Sequence, residues 1–419
     1  MTILANLPAI TPGWVLIGLF VLLGIGFGII LERSRFCFTT AFQETMEFRN
    51  PWILQAVFLW MGLSALVVSG LTEWGGVQPQ LFNQGWYTVF GGFLFGTGMS
   101  MCGACASGQL FRAGSGYVAN WMEFIGAGFG GILFALWFYP AVEQRALAHS
   151  QPLSLPATLH VPPIVWGLGS AVLFLGLAWR LHRRVPQRRS ASYQEKTFRL
   201  SLRHPWNPLA GAILLTVLST LYLVLSSGTS MSINTPNTLT IAWLVNWVTK
   251  PLGYNLATHG FFVEADYHHH IYSRLSPLAL NQIYEPHFGH HLGDLALGVW
   301  LFIPLTIVGA FLSSRIAGEF KWRIPQKRSK LLWYLIGGVI MGFGAATALG
   351  CNIGAWTESF AARFDLSGLL FTVGMFPGVW FGTRLDEWVA DRLWGFDQPT
   401  PVLRPRPREA MPAQAVEDR

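Results

Sequence analysis

The sequence predicts an all-α integral membrane protein, with about nine transmembrane helices, short broken or re-entrant segments, and two pseudo-symmetric halves of inverted topology. Three observations carry that prediction. The apolar residues come in long stretches, the basic residues gather in alternate loops, and one glycine–cysteine pattern occurs twice. Of the 419 residues, 52% are hydrophobic and only 12% charged, where a soluble chain carries about a quarter charged. Val15–Leu31, Trp52–Leu71, Gly116–Phe138, Ile164–Leu181, Pro208–Leu225, Leu295–Leu312, Leu331–Leu349 and Ser367–Phe381 each approach the roughly 20 residues that cross hydrocarbon as a helix. Met1–Pro12 has no basic stretch, and the first apolar run is too long for a signal-peptide core. It is therefore expected to stay as a span.

The orientation follows from the basic residues, because short Lys/Arg-rich loops stay in the cytoplasm. Arg180–Arg203, Arg315–Lys330, the C-terminal tail and the first loop (Arg33, Arg35, Arg49) hold most of the 28 Lys and Arg residues. The alternate loops 72–85, 139–163 and 228–292 offer only Arg145, Lys250 and Arg274. This predicts an outside N-terminus and a cytoplasmic C-terminus in a bacterial inner membrane. The net charge of +7 is a matter of topology on this reading, not of nucleic-acid binding. Within 228–292, Leu239–Val248 is too short to span and suits an interfacial helix. The Pro-rich tail from Gln398 reads as disordered.

The duplication is in the glycines. Gly91, Gly92, Gly96, Gly98 and Cys105 recur at one constant separation as Gly337, Gly338, Gly342, Gly344 and Cys351. The first copy follows an outer loop and the second an inner one, so the copies are predicted to enter the membrane from opposite faces. The predicted organisation is a first half over 1–163, a linking span and basic loop over 164–206, a second half over 207–397 with a His-rich outer loop at 228–292, and the tail 398–419. The glycines suit close helix packing and equally a helix that breaks at mid-membrane near Gly103–Cys105 or Gly350–Cys351. The break is favoured at the cysteine ends by Ser107, Gln109 and Arg112, and by Asn352, Thr357 and Glu358. Polar groups and irregular backbone at that depth need protein or a water-filled cavity around them.

The four cysteines, Cys37, Cys102, Cys105 and Cys351, lie in or beside apolar Gly-rich stretches, which argues against disulfide staples. Cys102 has no counterpart in the second copy and is read as packing. The outer loop holds His259, His268, His269, His270, His287, His290 and His291. They lack the helical spacing of a metal site and are read as a solvated or salt-paired loop rather than a Zn or Cu site.

Glu32-Arg33-Ser34-Arg35-Phe36-Cys37-Phe38-Thr39-Thr40-Ala41-Phe42, then Gly103-Ala104-Cys105-Ala106-Ser107-Gly108, then Gly350-Cys351-Asn352 resemble the YeeE/YedE family of inner-membrane sulfur transporters. The resemblance implies a transporter and no enzyme, with no cofactor. It implies thiosulfate uptake along a narrow central path lined by Cys37, Cys105 and Cys351, through transient S–H···S hydrogen bonds. It also implies a TusA-like sulfurtransferase on the cytoplasmic side. Selenium species are a second cargo among such relatives, and a thiol–disulfide oxidoreductase using Cys102 and Cys105 is a competing reading of the residues. The chemistry fits thiosulfate, whose terminal sulfur is soft, as are neutral thiols. An isolated dianion in hydrocarbon would cost on the order of tens of kcal/mol, so further partners are required. Helix N-termini, Arg112 and Arg363 are the candidates, with Ser107, Asn352 and Glu358 beside them. Arg112 and Glu358 stand at the separation of the repeat and are a candidate ion pair.

Overall fold

The structure is a computed structural model and describes residues 13–74, 84–134, 137–138, 153, 155–183, 201–226, 292–348, 350–363 and 365–394. The expected interfacial helix at 239–248, the seven loop histidines, most of the basic stretch and the tail lie outside those residues. Among the described residues the fold is all-helical with no strand. The elements are α1 (Gly13–Ser34), α2 (Phe38–Phe48), α3 (Trp52–Glu73), α4 (Trp86–Cys102), α5 (Ala106–Gly114) and α6 (Val118–Leu133). After a single turn at Leu155–Thr158 come α7 (Pro163–His182), α8 (Pro208–Leu225), α9 (Leu292–Ile316), α10 (Ser329–Thr347), α11 (Gly354–Arg363, wound with π turns) and α12 (Leu366–Val389).

Seven helical stretches among the described residues are long and apolar enough to cross a bilayer, and Leu301–Ile316 is a shorter apolar one. The polarity is that of a membrane protein. Val165, Leu168 and Val172 of α7 and Ile213, Val217 and Leu221 of α8 face outward at helical spacing, while Gln55, Asn120, Glu123 and Asn352 are buried. Exposed tryptophans mark helix ends, at Trp14, Trp74, Trp86, Trp179 and Trp388, as in the aromatic belts of membrane interfaces. Local signals set the starts. Pro163 and Pro208 stand in first turns, Asn207 accepts from Leu209 N at 2.9 Å, and Asp365 accepts from Ser367 N at 2.9 Å.

The glycines are packing surfaces. Gly92 and Gly96 of α4 lie against the backbone of Phe371 and Met375 in α12, and Gly374 and Gly378 of α12 lie against Val89 and Phe93. The same pattern joins α10 to α6: Gly338 and Gly342 meet Glu123 and Ala127, while Gly126 and Gly130 meet Leu335 and Val339. Both pairs run parallel. Between them α4 crosses α10 antiparallel, with Gly91 against Gly344 and Ala348, and Gly98 against Gly337 and Met341. Small residues allow this approach, and dispersion between the backbones holds it.

One end of the bundle is locked by charge. Arg33, 1% exposed, donates from Nε and Nη2 to the Glu32 carboxylate, from Nη1 to Leu202 O at 3.2 Å and from Nη2 to Glu319 at 3.0 Å. Arg35 reaches Glu319 at 3.3 Å, and Ser313 Oγ donates to Glu32 at 2.7 Å. The segments carrying Arg33, Leu202 and Glu319, all assigned from the sequence to one membrane face, therefore meet. The first of them was read as a loop. It is instead a buried break followed by helix α2, because Glu32 and Glu319 compensate the charge that suggested exposure.

Candidate functional site

Each of the three motif cysteines starts a helix at a break. Arg35 takes a left-handed φ of 52° just past α1, and Cys37, extended at φ −146°, precedes α2. Gly103, with φ 65°, ends α4 in the left-handed region that favours glycine. Cys105 then precedes α5. Past α10, Cys351 precedes the helical run that becomes α11. The three carbonyls accept the first helical hydrogen bonds in the same way, from Ala41 N at 3.0 Å, Gln109 N at 2.8 Å and Ala355 N at 2.9 Å. All three residues are N-caps.

The thiols are buried in one hydrophobic core. Cys37 Sγ and Cys105 Sγ are 3.5 Å apart, a thiol–thiol hydrogen bond. Cys105 Sγ also meets Ser107 Oγ at 3.2 Å and accepts from Gly108 N at 3.4 Å. Gly108 is what makes room, since a Cβ there would stand 2.6 Å from Cys37 Sγ. Trp356, five residues past Cys351, has its ring edge-on to Phe38 at 5.9 Å and to Phe42 at 5.3 Å. Phe38 directly follows Cys37.

Polar atoms without partners cluster at these breaks. Thr39 Oγ1, Gln109 Oε1, both side-chain polar atoms of Asn352, and Trp356 Nε1 are buried with no hydrogen bond. Such groups are rare in a folded interior and call for a partner, whether water or a ligand. Arg112 is buried on α5. Its Nη1 donates to Gly103 O at 2.6 Å and its Nη2 to Thr40 Oγ1 at 3.2 Å, so the guanidinium bridges the breaks of Cys105 and Cys37. The side chains of Glu358 and Arg363 lie outside the described ones. Cys102 takes a different course. Its thiol donates to Tyr334 O at 3.4 Å and sits where a Cβ on Gly337 would be, away from the partner of Cys105. Among the described residues no group of three His, Cys, Asp or Glu side chains is gathered as a metal would require. Thr39, Thr40, Trp356 and Glu123 escaped the sequence reading. The Thr-Thr pair after Cys37 was the visible signal, and nothing distinguished Trp356 among 19 tryptophans.

Residues 33–381 match the family described as sulphur transport. The chain belongs to this family of sulfur transporters. It resembles the thiosulfate transporter TsuA of Spirochaeta thermophila, with 27% identity over 372 residues covering 86% of this chain and 97% of that protein. It resembles TsuA of Escherichia coli at 25% identity, over 85% of this chain and 91% of the relative. The probable transporter YedE of Escherichia coli is 33% identical over 141 residues, 31% of this chain and 35% of the relative. The family member described here is thus a multi-pass membrane transporter and not an enzyme.

Proposed function

We propose that this sulfur transporter takes up thiosulfate across the bacterial inner membrane along a path lined by Cys37, Cys105 and Cys351. The observation that carries the proposal is the arrangement of three helix starts, each with a buried cysteine as N-cap, two of them in thiol contact. A helix N-terminus carries about half a positive charge and leaves backbone N–H groups unpaired. The thiols add weak donors suited to the terminal sulfur, and Asn352 and Trp356 add free N–H groups suited to the oxygens. The names of the TsuA relatives point to the same cargo.

The path lies between two inverted repeats, residues 1–163 and 207–397, joined by 164–206, with the N-terminus outside and the C-terminus in the cytoplasm. The glycine contacts support this. The contacts of Gly92, Gly96, Gly374 and Gly378 between α4 and α12 have counterparts in those of Gly338, Gly342, Gly126 and Gly130 between α10 and α6, and α4 crosses α10 antiparallel. A two-fold axis in the membrane plane produces that pattern. A TusA-like sulfurtransferase at the inner face, implied by the family resemblance, would consume the arriving sulfur.

The test is growth of a sulfur-auxotrophic strain on thiosulfate as sole sulfur source, with each variant expressed to equal level. Cys105→Ala and Cys351→Ala abolish growth, whereas Cys102→Ala leaves most of it. An essential Cys102 with a dispensable Cys351 would refute the proposal. Selenite or selenate outcompeting thiosulfate would move the cargo to selenium. The cysteines leave one matter open. An inside-negative potential opposes each negative charge entering by about 2.3 kcal/mol per 100 mV, and thiols supply no driving force.

A further inference from the structure

Glu123 is the buried carboxyl that the thiol path does not use. It lies in the first half of α6 with no exposed surface. Asn120 Nδ2 donates to its Oε2 at 2.6 Å, and its Oε1 has no hydrogen-bond partner. Among the described residues no Arg, Lys or His stands within 4 Å of it to form an ion pair. An ionisable side chain at membrane depth is costly, and those that persist generally serve ion or proton movement. A permanently charged Glu123 would need a cation in contact. Its one hydrogen-bonding neighbour among the described residues, the Asn120 amide at 2.6 Å, donates to the carboxylate and, turned over, accepts from the acid, which suits a group that gains and loses a proton in turn.

Its surroundings link it to the anion. Arg112 of α5, Cys102 of α4, Tyr334 of α10 and Cys37 lie within electrostatic reach of it, and Asn120 lies on its own helix; Asp386 of α12 lies within the same reach of Cys102 and Tyr334. Arg112 is the connection, since its guanidinium bridges the breaks of Cys37 and Cys105. Its positive charge can be balanced by an anion on the path or by the Glu123 carboxylate. Asp386 is only partly buried near the end of α12, where it accepts from Trp333 Nε1 at 2.8 Å. It offers a way out for a proton on the side of the bundle where α10 begins.

We propose that Glu123 carries a proton with the anion, making the protein a proton–anion symporter. With an anion beside Arg112, the Glu123 carboxylate is redundant and takes up a proton from the outer side. When the anion leaves inward, the proton leaves to the cytoplasmic side and the carboxylate again balances Arg112. One proton crosses per turnover, with no other reactant. The inference rests on the thiosulfate reading above, and the test separates the two.

The experiment uses the full chain in liposomes, with the membrane potential held at zero by valinomycin and equal potassium. Radiolabelled thiosulfate is the probe. An outside pH one unit more acid raises wild-type accumulation about tenfold, the ratio that one proton per anion gives at equilibrium. Pyranine inside the vesicles reports proton influx when thiosulfate is added. In E123Q the accumulation ratio stays near one, and thiosulfate draws no protons, whatever the rate of exchange. Wild-type accumulation indifferent to the pH gradient, or E123Q following it as wild type does, overturns the proposal. Should E123Q fail to fold, the wild-type pyranine signal decides alone: thiosulfate-driven acidification supports symport, and its absence refutes it. If wild type shows no thiosulfate exchange at all, the transport reading falls first and this inference with it.

Discussion

Close packing of helix backbones at glycines makes the sharpest prediction. The perturbation is Gly96→Ala in α4 and, separately, its repeat mate Gly342→Ala in α10. A Cβ at position 96 would lie 2.9 Å from Val379 N and 3.1 Å from Met375 C, and closer still to Met375 O. A Cβ at position 342 would lie 2.6 Å from the C and Cα of Ala127, and again closer to its carbonyl oxygen. Ordinary carbon contacts are about 3.5–4.0 Å. The obstructing atoms are backbone, so no rotamer change relieves them, and the helices must separate by about 1 Å. Overpacking of this kind costs about 1–3 kcal/mol. Gly176→Ala in α7 is the control, because nothing lies within 4 Å of its added Cβ and Ala suits a helix interior better than Gly by about 0.5–1 kcal/mol. Thermal unfolding in detergent, followed by tryptophan fluorescence, separates the cases. Gly96→Ala and Gly342→Ala lower the midpoint by similar amounts, while Gly176→Ala leaves or raises it. If all three behave alike, the close approach of α4 to α12 and of α10 to α6 is not what holds this bundle.

Arg33→Ala leaves Glu32, 4% exposed, without its guanidinium, a loss of about 3–5 kcal/mol for a buried pair. The variant is expected to disappear from membrane fractions on immunoblots, whereas Glu319→Ala, at the half-buried edge, costs under about 1 kcal/mol. Gly103→Ala meets no neighbour, so its cost is the left-handed φ alone, about 1 kcal/mol, and Gly103→Asn costs less; unfolding midpoints report both. Trp356→Phe keeps the ring contacts with Phe38 and Phe42 and removes an unpartnered N–H. Stability is therefore unchanged or improved, while calorimetry shows thiosulfate binding weakened about fivefold, for one hydrogen bond of about 1 kcal/mol. Diamide is expected to join Cys37 to Cys105, whose sulfurs are 3.5 Å apart. Non-reducing peptide mapping then finds that link, and uptake stops until dithiothreitol is added.

Most of the apolar stretches were legible as spanning helices because hydrocarbon imposes a length and a composition on any helix that crosses it; Gly116–Phe138 gives only the 16-residue α6, which is not among the seven described stretches long and apolar enough to span. The break at Gly103 was legible because an apolar helix stops at a glycine and resumes with Ser107, Gln109 and Arg112. The burial of Arg33 was not. Its compensating carboxylate comes partly from Glu319, far away in the chain, and a local reading sees only a basic loop. Arg112 shows a second limit. Two of its donors go to Gly103 O and Thr40 Oγ1, partners that the fold brings from the end of α4 and the start of α2, while the side chain of Glu358, set against it by the repeat, lies outside the described ones. Glu123 was in view throughout, an acidic residue inside the apolar stretch Gly116–Phe138. It carried no weight there because its burial near Arg112, with no cation in direct contact among the described residues, is a three-dimensional fact.

The choice of cysteine at three helix starts has a physical logic on the proposed path. Serine, threonine, aspartate and asparagine are the strong N-caps, because their oxygens accept the free N–H groups of the first turn. Any of them would consume the donors that an anion needs, and aspartate would also repel it. A thiol is a weak acceptor. Cys37 makes no side-chain cap bond, and Cys105 accepts from Gly108 N only at 3.4 Å. These two helix ends thus keep most of their positive character while their N-cap side chains offer soft donors. The three helix ends at about half a charge each give about 1.5 positive charges, and the fixed charge of Arg112 brings the total near 2.5. That matches the two negative charges of thiosulfate closely enough to hold the ion without trapping it. An additional cation in contact would deepen the well and slow release. Partial charges from backbone, with one arginine set to the side of the sulfurs, are therefore better suited to passage than a ring of basic side chains.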